Sequence, residues 1–157
     1  MSFLKAKEYL KQFGFEDKIM EFDVSSATVE EAAKAIHCEE DEIAKTLSFL
    51  IDDKPILIVV SGSSKIDNHK YKMEFHTKAK MVPFDMVDEI VGHEVGGVCP
   101  FGVNDNIDIY LDESLKKHKI LYPACGSTNS AIQLTLEELE KASNCKKWVD
   151  VCKEILR

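Results

Sequence analysis

A lysine that opens an apolar run is the first residue whose type and place suggest chemistry. Lys45 stands between Ala44 and Thr46-Leu47-Ser48-Phe49-Leu50-Ile51, which puts it at the entrance of an expected strand. Its ammonium carries three donors and no acceptor, which suits a substrate carbonyl, an ester oxygen or a phosphate. A solvated strand-end lysine fits the same pattern. The second feature is the run from Gly92 to Gly102, with four glycines and one proline in eleven residues. That composition predicts an ordered loop with unusual backbone angles. Gly96-Gly97 removes side chains where something can approach the backbone, and such a loop can aim amide N–H groups at a carbonyl or developing oxyanion. A plain helix-to-strand connection also uses glycine. The third feature is the late run Cys125-Gly126-Ser127-Thr128-Asn129.

Several chemistries lack their motif. The sequence contains no G-x-x-x-x-G-K-[ST], no strand-linked G-x-G-x-x-G and no H-E-x-x-H. Ser127 is not in a G-x-S-x-G elbow, so a serine triad is unsupported. His93, Cys99 and Cys125 match no metal-ligand spacing, so neither a metal nor another cofactor is expected. A cysteine hydrolase built on Cys99 and His93 would need a thiolate of low pKa.

The elements that must position these residues follow from periodicity and caps. Ser2 to Phe13 reads as an amphipathic helix, ended by Gly14. Ile19 to Val24 alternates like a half-buried strand. Thr28 with Glu31 forms a capping-box pattern that opens a helix through Ile36, and a short helical turn follows near Glu40 to Ala44. Thr46–Ile51 and Ile56–Ser61 read as a hairpin joined by Asp52-Asp53-Lys54-Pro55. Lys65–Phe75 is expected to be helical, Lys80–Val82 a short strand, and Pro83 the start of a helix to Val91. Ile107–Leu111, Ile120–Tyr122 and Ala131–Leu134 read as strands. Thr135 with Glu138 caps a helix to Ala142, and Trp148–Leu156 is expected to close the chain as a helix. Strands and helices mix without strict β-α-β alternation, which predicts an α/β (α+β) fold: a mixed, largely antiparallel sheet surrounded by helices.

The 157 residues suit one domain spanning 1–157. No apolar run approaches the roughly 18 residues of a membrane span, and the N-terminal residues do not read as a signal peptide. A cytoplasmic protein is the expectation. Five cysteines without Cys-x-x-Cys spacing suggest reduced, mostly buried thiols. A net charge of −8 argues against a general nucleic-acid binder such as a DNA-binding protein. Lys65 to Lys80 is a local exception, with five lysines against two acids. A solvated helix face accounts for that bias equally well.

Taken together, Ala44-Lys45-Thr46-Leu47-Ser48-Phe49, Val60-Ser61-Gly62, the Gly92–Gly102 loop, and Cys125-Gly126-Ser127 ahead of Ala131-Ile132-Gln133-Leu134 resemble the YbaK/ProX prolyl-tRNA editing domains, from about Glu21 to Ala142. The resemblance implies a compact α/β domain with a pocket between the Lys45 strand and the glycine loop. It implies an aminoacyl-tRNA deacylase that removes a wrong amino acid from the tRNA acceptor end, commonly tRNA(Pro), with no enzyme nucleophile. Carried over by position, Lys45 is the catalytic contact. Thr46, Gly96, Gly97, Val98, Cys99 and Pro100 shape the substrate pocket, and Gly126 and Ser127 line the same side. Lys65, Lys70, Lys72 and Lys78 are then expected to contact tRNA. Family members remove cysteine, alanine, serine, threonine or others, and some are recruited by prolyl-tRNA synthetase. A non-catalytic module derived from an editing domain, one that binds tRNA, nucleotides or amino acids or regulates a synthetase, is the alternative.

Overall fold

The computed structural model describes residues 2–154. Its elements are α1 (Ser2–Lys11), β1 (Ile19–Glu21), α2 (Val29–Ile36), β2 (Ile43–Ile51), β3 (Lys54–Ser61), β4 (Ser64–Ile66), α3 (Asn68–Phe75), α4 (Val87–Val91), β5 (Asp108–Asp112), β6 (Ile120–Pro123), β7 (Ser130–Ile132), β8 (Leu134–Thr135), α5 (Leu136–Ser143), β9 (Lys147–Val149) and β10 (Cys152–Glu154). Six strands form the central sheet in the order β8-β6-β2-β3-β5-β9, and β1–β7 and β10–β4 form two small antiparallel pairs. The pairing is mixed. β2–β3 is a long antiparallel ladder, while β2–β6, β3–β5 and β5–β9 run parallel.

The β2–β3 hairpin turns at Asp52 and Asp53, both at positive φ (50° and 66°). Two such residues match the backbone twist of the flanking strands, and Asp tolerates that conformation better than most side chains. β3 lies at the centre and is apolar on both faces. Leu57 and Val59 pack with Ala6 and Leu10 of α1, Val91 of α4, Leu111 of β5, and Leu139 and Ala142 of α5. Ile56, Ile58 and Val60 pack on the other face with Phe49, Tyr71 of α3, Tyr110 and Val151. A strand buried on both sides loses the apolar-polar alternation that a one-sided strand shows. Of the two expected capping boxes, Thr135 with Glu138 is reciprocal, whereas Thr28 Oγ1 accepts from the Glu31 N–H at 3.1 Å while the Glu31 carboxylate accepts from the Ser25 hydroxyl at 2.9 Å.

Several expectations change, among them the helix expected over Lys65–Phe75, which begins at Asn68 because Ser64–Ile66 pairs with Cys152–Glu154 as β4. Trp148–Leu156 is not a helix: β9 pairs with β5, and β10 pairs with β4, up to Glu154. The apolar residues Trp148, Val151 and Cys152 have helix-like spacing, but the open edge of β5 takes up this segment. The buried Asp112 carboxylate holds it there by accepting the Val151 N–H at 2.8 Å. Tertiary pairing overrides local periodicity here. Residues 155–157 of that expected helix lie outside the described residues. Lys80–Val82 forms an extended bridge rather than a strand: Leu50 N–H donates to the Lys80 carbonyl at 2.8 Å, and Val82 N–H to the Ser48 carbonyl at 3.1 Å. Ala131–Leu134 divides into β7 and β8, which pair with different strands.

Candidate active site

The site begins as a gap beside β2. One edge of this strand pairs with β3 from Ala44 to Ile51. The other pairs with β6 at Ile43 and Ala44, then meets the Lys80–Val82 bridge at Ser48 and Leu50. Lys45 to Leu47 has no strand partner on that side among the described residues. Ser48 and Leu50 direct their backbone groups to this edge, so alternation directs the Thr46 N–H and C=O there too. A cavity of about 560 Å³ opens beside the gap. Its walls come from the start of α2 (Thr28, Val29, Ala32), from β2, from Met81–Phe84, and from Gly96 and Val98 of the glycine loop, with Tyr122 and Ser130 opposite.

Lys45 lines this cavity from the third position of β2. It is half-buried, and its Nζ donates to the Gly62 carbonyl at 3.2 Å. It is thus a held side chain rather than a free strand-end lysine. Burial pushes its pKa below the ordinary lysine value, and the nearby Cys152 thiol acts weakly the other way. A half-desolvated ammonium on the wall of an apolar cleft interacts more strongly with a carbonyl or anion than one in bulk water does. Thr46 lines the cavity as well, but its hydroxyl is buried without a partner among the described residues.

The glycine loop has a front and a back. Gly96 and Val98 face the cavity. Gly96 has φ +91°, and a Cβ there would lie 2.9 Å from both Ala27 and Thr128. Gly97 faces backwards, and its carbonyl accepts the Gly126 N–H at 2.9 Å. A Cβ on Gly97 would sit 2.4 Å from the Ser127 nitrogen. Gly126 and Ser127 therefore brace the loop from behind and do not line the cavity. Cys99 and Pro100 are also buried behind it. Five of the eight residues expected to shape the substrate pocket, namely Gly97, Cys99, Pro100, Gly126 and Ser127, thus support the wall rather than form it.

Cys99 and His93 do meet, with Sγ 3.5 Å from Nε2, and both are fully buried. Burial raises the Cys99 thiol pKa well above its ordinary value and lowers that of His93. The histidine Nε2 is already 2.5 Å from the Phe101 carbonyl. A neutral thiol with no face on the cavity is not a nucleophile. Among the described residues, no three His, Cys, Asp or Glu side chains gather in metal-ligating geometry.

None of Lys65, Lys70, Lys72 and Lys78 lines the cavity. Lys65 lies on β4, opposite Lys153. Lys70 bonds to Asp150 at 3.1 Å and to the Cys152 carbonyl at 3.0 Å, tying α3 to the chain end. Lys72 and Lys78 are exposed. Sequence reasoning missed the polar wall of Ser26 and Ser130. Ser26 N–H donates to the Thr128 carbonyl at 2.7 Å, and Ser130 Oγ to the Cys125 carbonyl at 3.2 Å. It also missed Met81, Phe84 and Val95 at the cavity rim. Nothing in the sequence separates Met81 and Phe84 from the apolar Val82, Met86 and Val87 beside them.

The match to known proteins agrees with this geometry. The model of the aminoacyl-tRNA editing domain matches residues 23–142, and the chain belongs to that family. It is 48% identical over 155 residues to the uncharacterized protein YwhH of Bacillus subtilis (strain 168), covering 98% of this chain and 99% of that one. It is 27% identical over 88 residues to a proline–tRNA ligase of Bacillus cereus (strain AH820), covering 55% of this chain but 16% of the ligase. A solved structure described provisionally as a trans-editing enzyme for prolyl tRNA synthetase superposes with a TM-score of 0.86 at 28% identity, covering 97% of each chain. The fold is thus that of the editing proteins. Among the described residues no helix is long and apolar enough to cross a membrane.

Proposed function

We propose that this chain is an aminoacyl-tRNA deacylase that hydrolyses the ester between a wrong amino acid and the 3′ end of tRNA. The reading commits to tRNA(Pro) carrying a small amino acid such as cysteine, alanine, serine or threonine. The observation that carries it is the cavity between Lys45 on β2 and Gly96 and Val98 of the glycine loop, in a chain of the editing family. In this reading the ester lies along the open edge of β2. The Lys45 ammonium and the Thr46 N–H supply donors to its carbonyl side. Water adds to the carbonyl carbon, the bond to the ribose oxygen breaks, and that oxygen takes a proton. The products are a free amino acid and an intact tRNA. No enzyme nucleophile is needed, because groups on the substrate can direct the water. Catalysis then rests on positioning and on donors aimed at the developing negative charge.

Such an activity answers a limit of synthetases. A pocket cannot strongly reject an amino acid smaller than its own, since one methylene is worth about 1–3 kcal/mol, so a second, smaller site must remove the error. The chain would act as one domain in the cytoplasm, beside prolyl-tRNA synthetase, with Lys72 and Lys78 on the acceptor stem and without a metal. The test is deacylation of a panel of tRNAs mischarged with different amino acids. Release of one small amino acid from tRNA(Pro), with prolyl-tRNA(Pro) left intact, is expected. Binding of tRNA without release of any amino acid would instead identify a non-catalytic module.

A further inference from the structure

We propose that Phe84 is the stacking platform for the terminal base of the tRNA 3′ end. This rests on the deacylase reading and says where the rest of the substrate lies. Three large apolar side chains cluster at the rim of the cavity: Phe84 is 77% exposed, Met81 56% and Val95 38%. Single exposed apolar residues need no explanation, but a cluster at a cavity mouth does. Among the described residues Phe84 packs on no other ring, whereas Tyr9, Phe13, Phe49, Tyr71 and Phe75 all do.

The exposure is built in rather than a consequence of looseness. Val82 and Val87, on either side of Phe84, are buried. Val82 is pinned to Ser48 of β2, and the Pro83 carbonyl accepts the Met86 N–H at 2.9 Å, closing a tight turn around Phe84. The ring is therefore held out beside the mouth by two anchors and a proline.

The occupant follows from position, since Phe84 lines the same cavity as Lys45. With the ester at Lys45, the nucleoside that carries it must leave the cavity past this rim. A base has an apolar face for an aromatic ring, and its phosphates need cations. The exposed Lys78 and Lys80 precede Met81 on the segment that forms the rim, and the exposed acids Asp85, Asp88 and Glu89 follow Phe84 on its far side. An exposed aromatic ring at the mouth of a site that takes a tRNA end can stack on a single-stranded base, and stacking tolerates any base.

The test uses the full chain with two probes: the trinucleotide CCA, and the same trinucleotide with its terminal base removed. Affinities are measured by calorimetry for wild type, Phe84→Ala and Phe84→Trp. Wild type is expected to bind CCA roughly tenfold or more tighter than the abasic probe. Phe84→Ala should erase that difference and Phe84→Trp should keep it. On mischarged tRNA, Phe84→Ala should raise KM far more than it lowers kcat. Equal binding of the two probes by wild type, no binding of CCA at all, or wild-type affinity in Phe84→Ala would overturn the stack. Deacylation by wild type together with any of these results removes the stack and leaves the deacylase reading standing. Base-dependent binding without deacylation of any tRNA removes the deacylase reading and leaves the stack.

Discussion

The two edges of β2 belong to one strand and have opposite fates. Toward β3 the strand is paired through eight consecutive residues and shut off from solvent. Toward β6 it is paired at Ile43 and Ala44, bridged at Ser48 and Leu50, and left open between. An unpaired edge is ordinarily a liability, because its N–H and C=O groups seek a partner. Here the α2 start, the Met81–Phe84 segment and the glycine loop wall it in, so that only something entering the cavity can reach it. The closed edge makes the frame stiff. The open edge places backbone groups and one half-buried ammonium where a substrate would lie.

The sharpest way to break this comparison is to remove the ammonium from the open edge. Lys45→Ala should lower kcat/KM for deacylation by about 10²–10³, the usual effect of losing one donor aimed at transition-state charge. It also removes the bond to the Gly62 carbonyl, worth about 1 kcal/mol, so the thermal midpoint should fall by roughly 2–4 °C. Lys45→Arg should restore activity only in part, since a planar fork does not replace a point charge in a narrow cleft. Near-normal turnover by Lys45→Ala would remove the central residue of the mechanism. Because the folded pKa of Lys45 is lowered, its charge is lost on raising the pH sooner than for an ordinary lysine. The alkaline limb of kcat/KM, corrected for spontaneous ester hydrolysis, should then lie below about pH 10.4.

The wall is the next target. Gly97→Ala forces a Cβ against the Ser127 nitrogen. Overpacking of this kind costs about 1–3 kcal/mol, and the shifted wall should lower kcat/KM by about 10-fold or more. Circular dichroism melting and the same deacylation assay read both effects. An unchanged Tm would show that the loop relaxes freely and braces nothing.

A weaker effect is expected from the lysines outside the cavity. Lys72→Gln with Lys78→Gln should flatten the salt dependence of tRNA binding, reducing the log–log slope by about 1.5. Lys70→Gln should instead lower the melting temperature, since Lys70 ties α3 to Asp150 and Cys152. If Lys70→Gln flattens the salt slope as strongly as the other two, its ion pair opens to tRNA and this division fails.

The smallest effect belongs to Cys99. Cys99→Ser should leave kcat/KM nearly unchanged, because the thiol is sealed behind the loop and faces Phe101 rather than the cavity. A collapse of turnover with the fold intact would return the thiol to the chemistry.

Much of this protein was legible in the residues themselves. Thr28 with Glu31, Thr135 with Glu138, and the paired aspartates at the hairpin turn act over three or four positions, so local rules suffice to read them. Lys45 and the glycine loop were legible only through their combined resemblance to the editing domains, since a strand-end lysine or a glycine-rich connection alone decides nothing. What the tertiary structure alone decided depends on distant partners. The chain end has helical spacing yet becomes β9 and β10, because β5 and β4 offer edges some forty to ninety residues earlier in the chain. Gly96 faces a cavity and Gly97 faces Ser127, a difference made by a segment thirty residues away. Lys70 and Lys72 look alike in sequence, but Asp150 engages only the first. Phe84 is apolar in any reading. Its exposure at a cavity mouth exists only because Val82 and Val87 are drawn inward on either side of it.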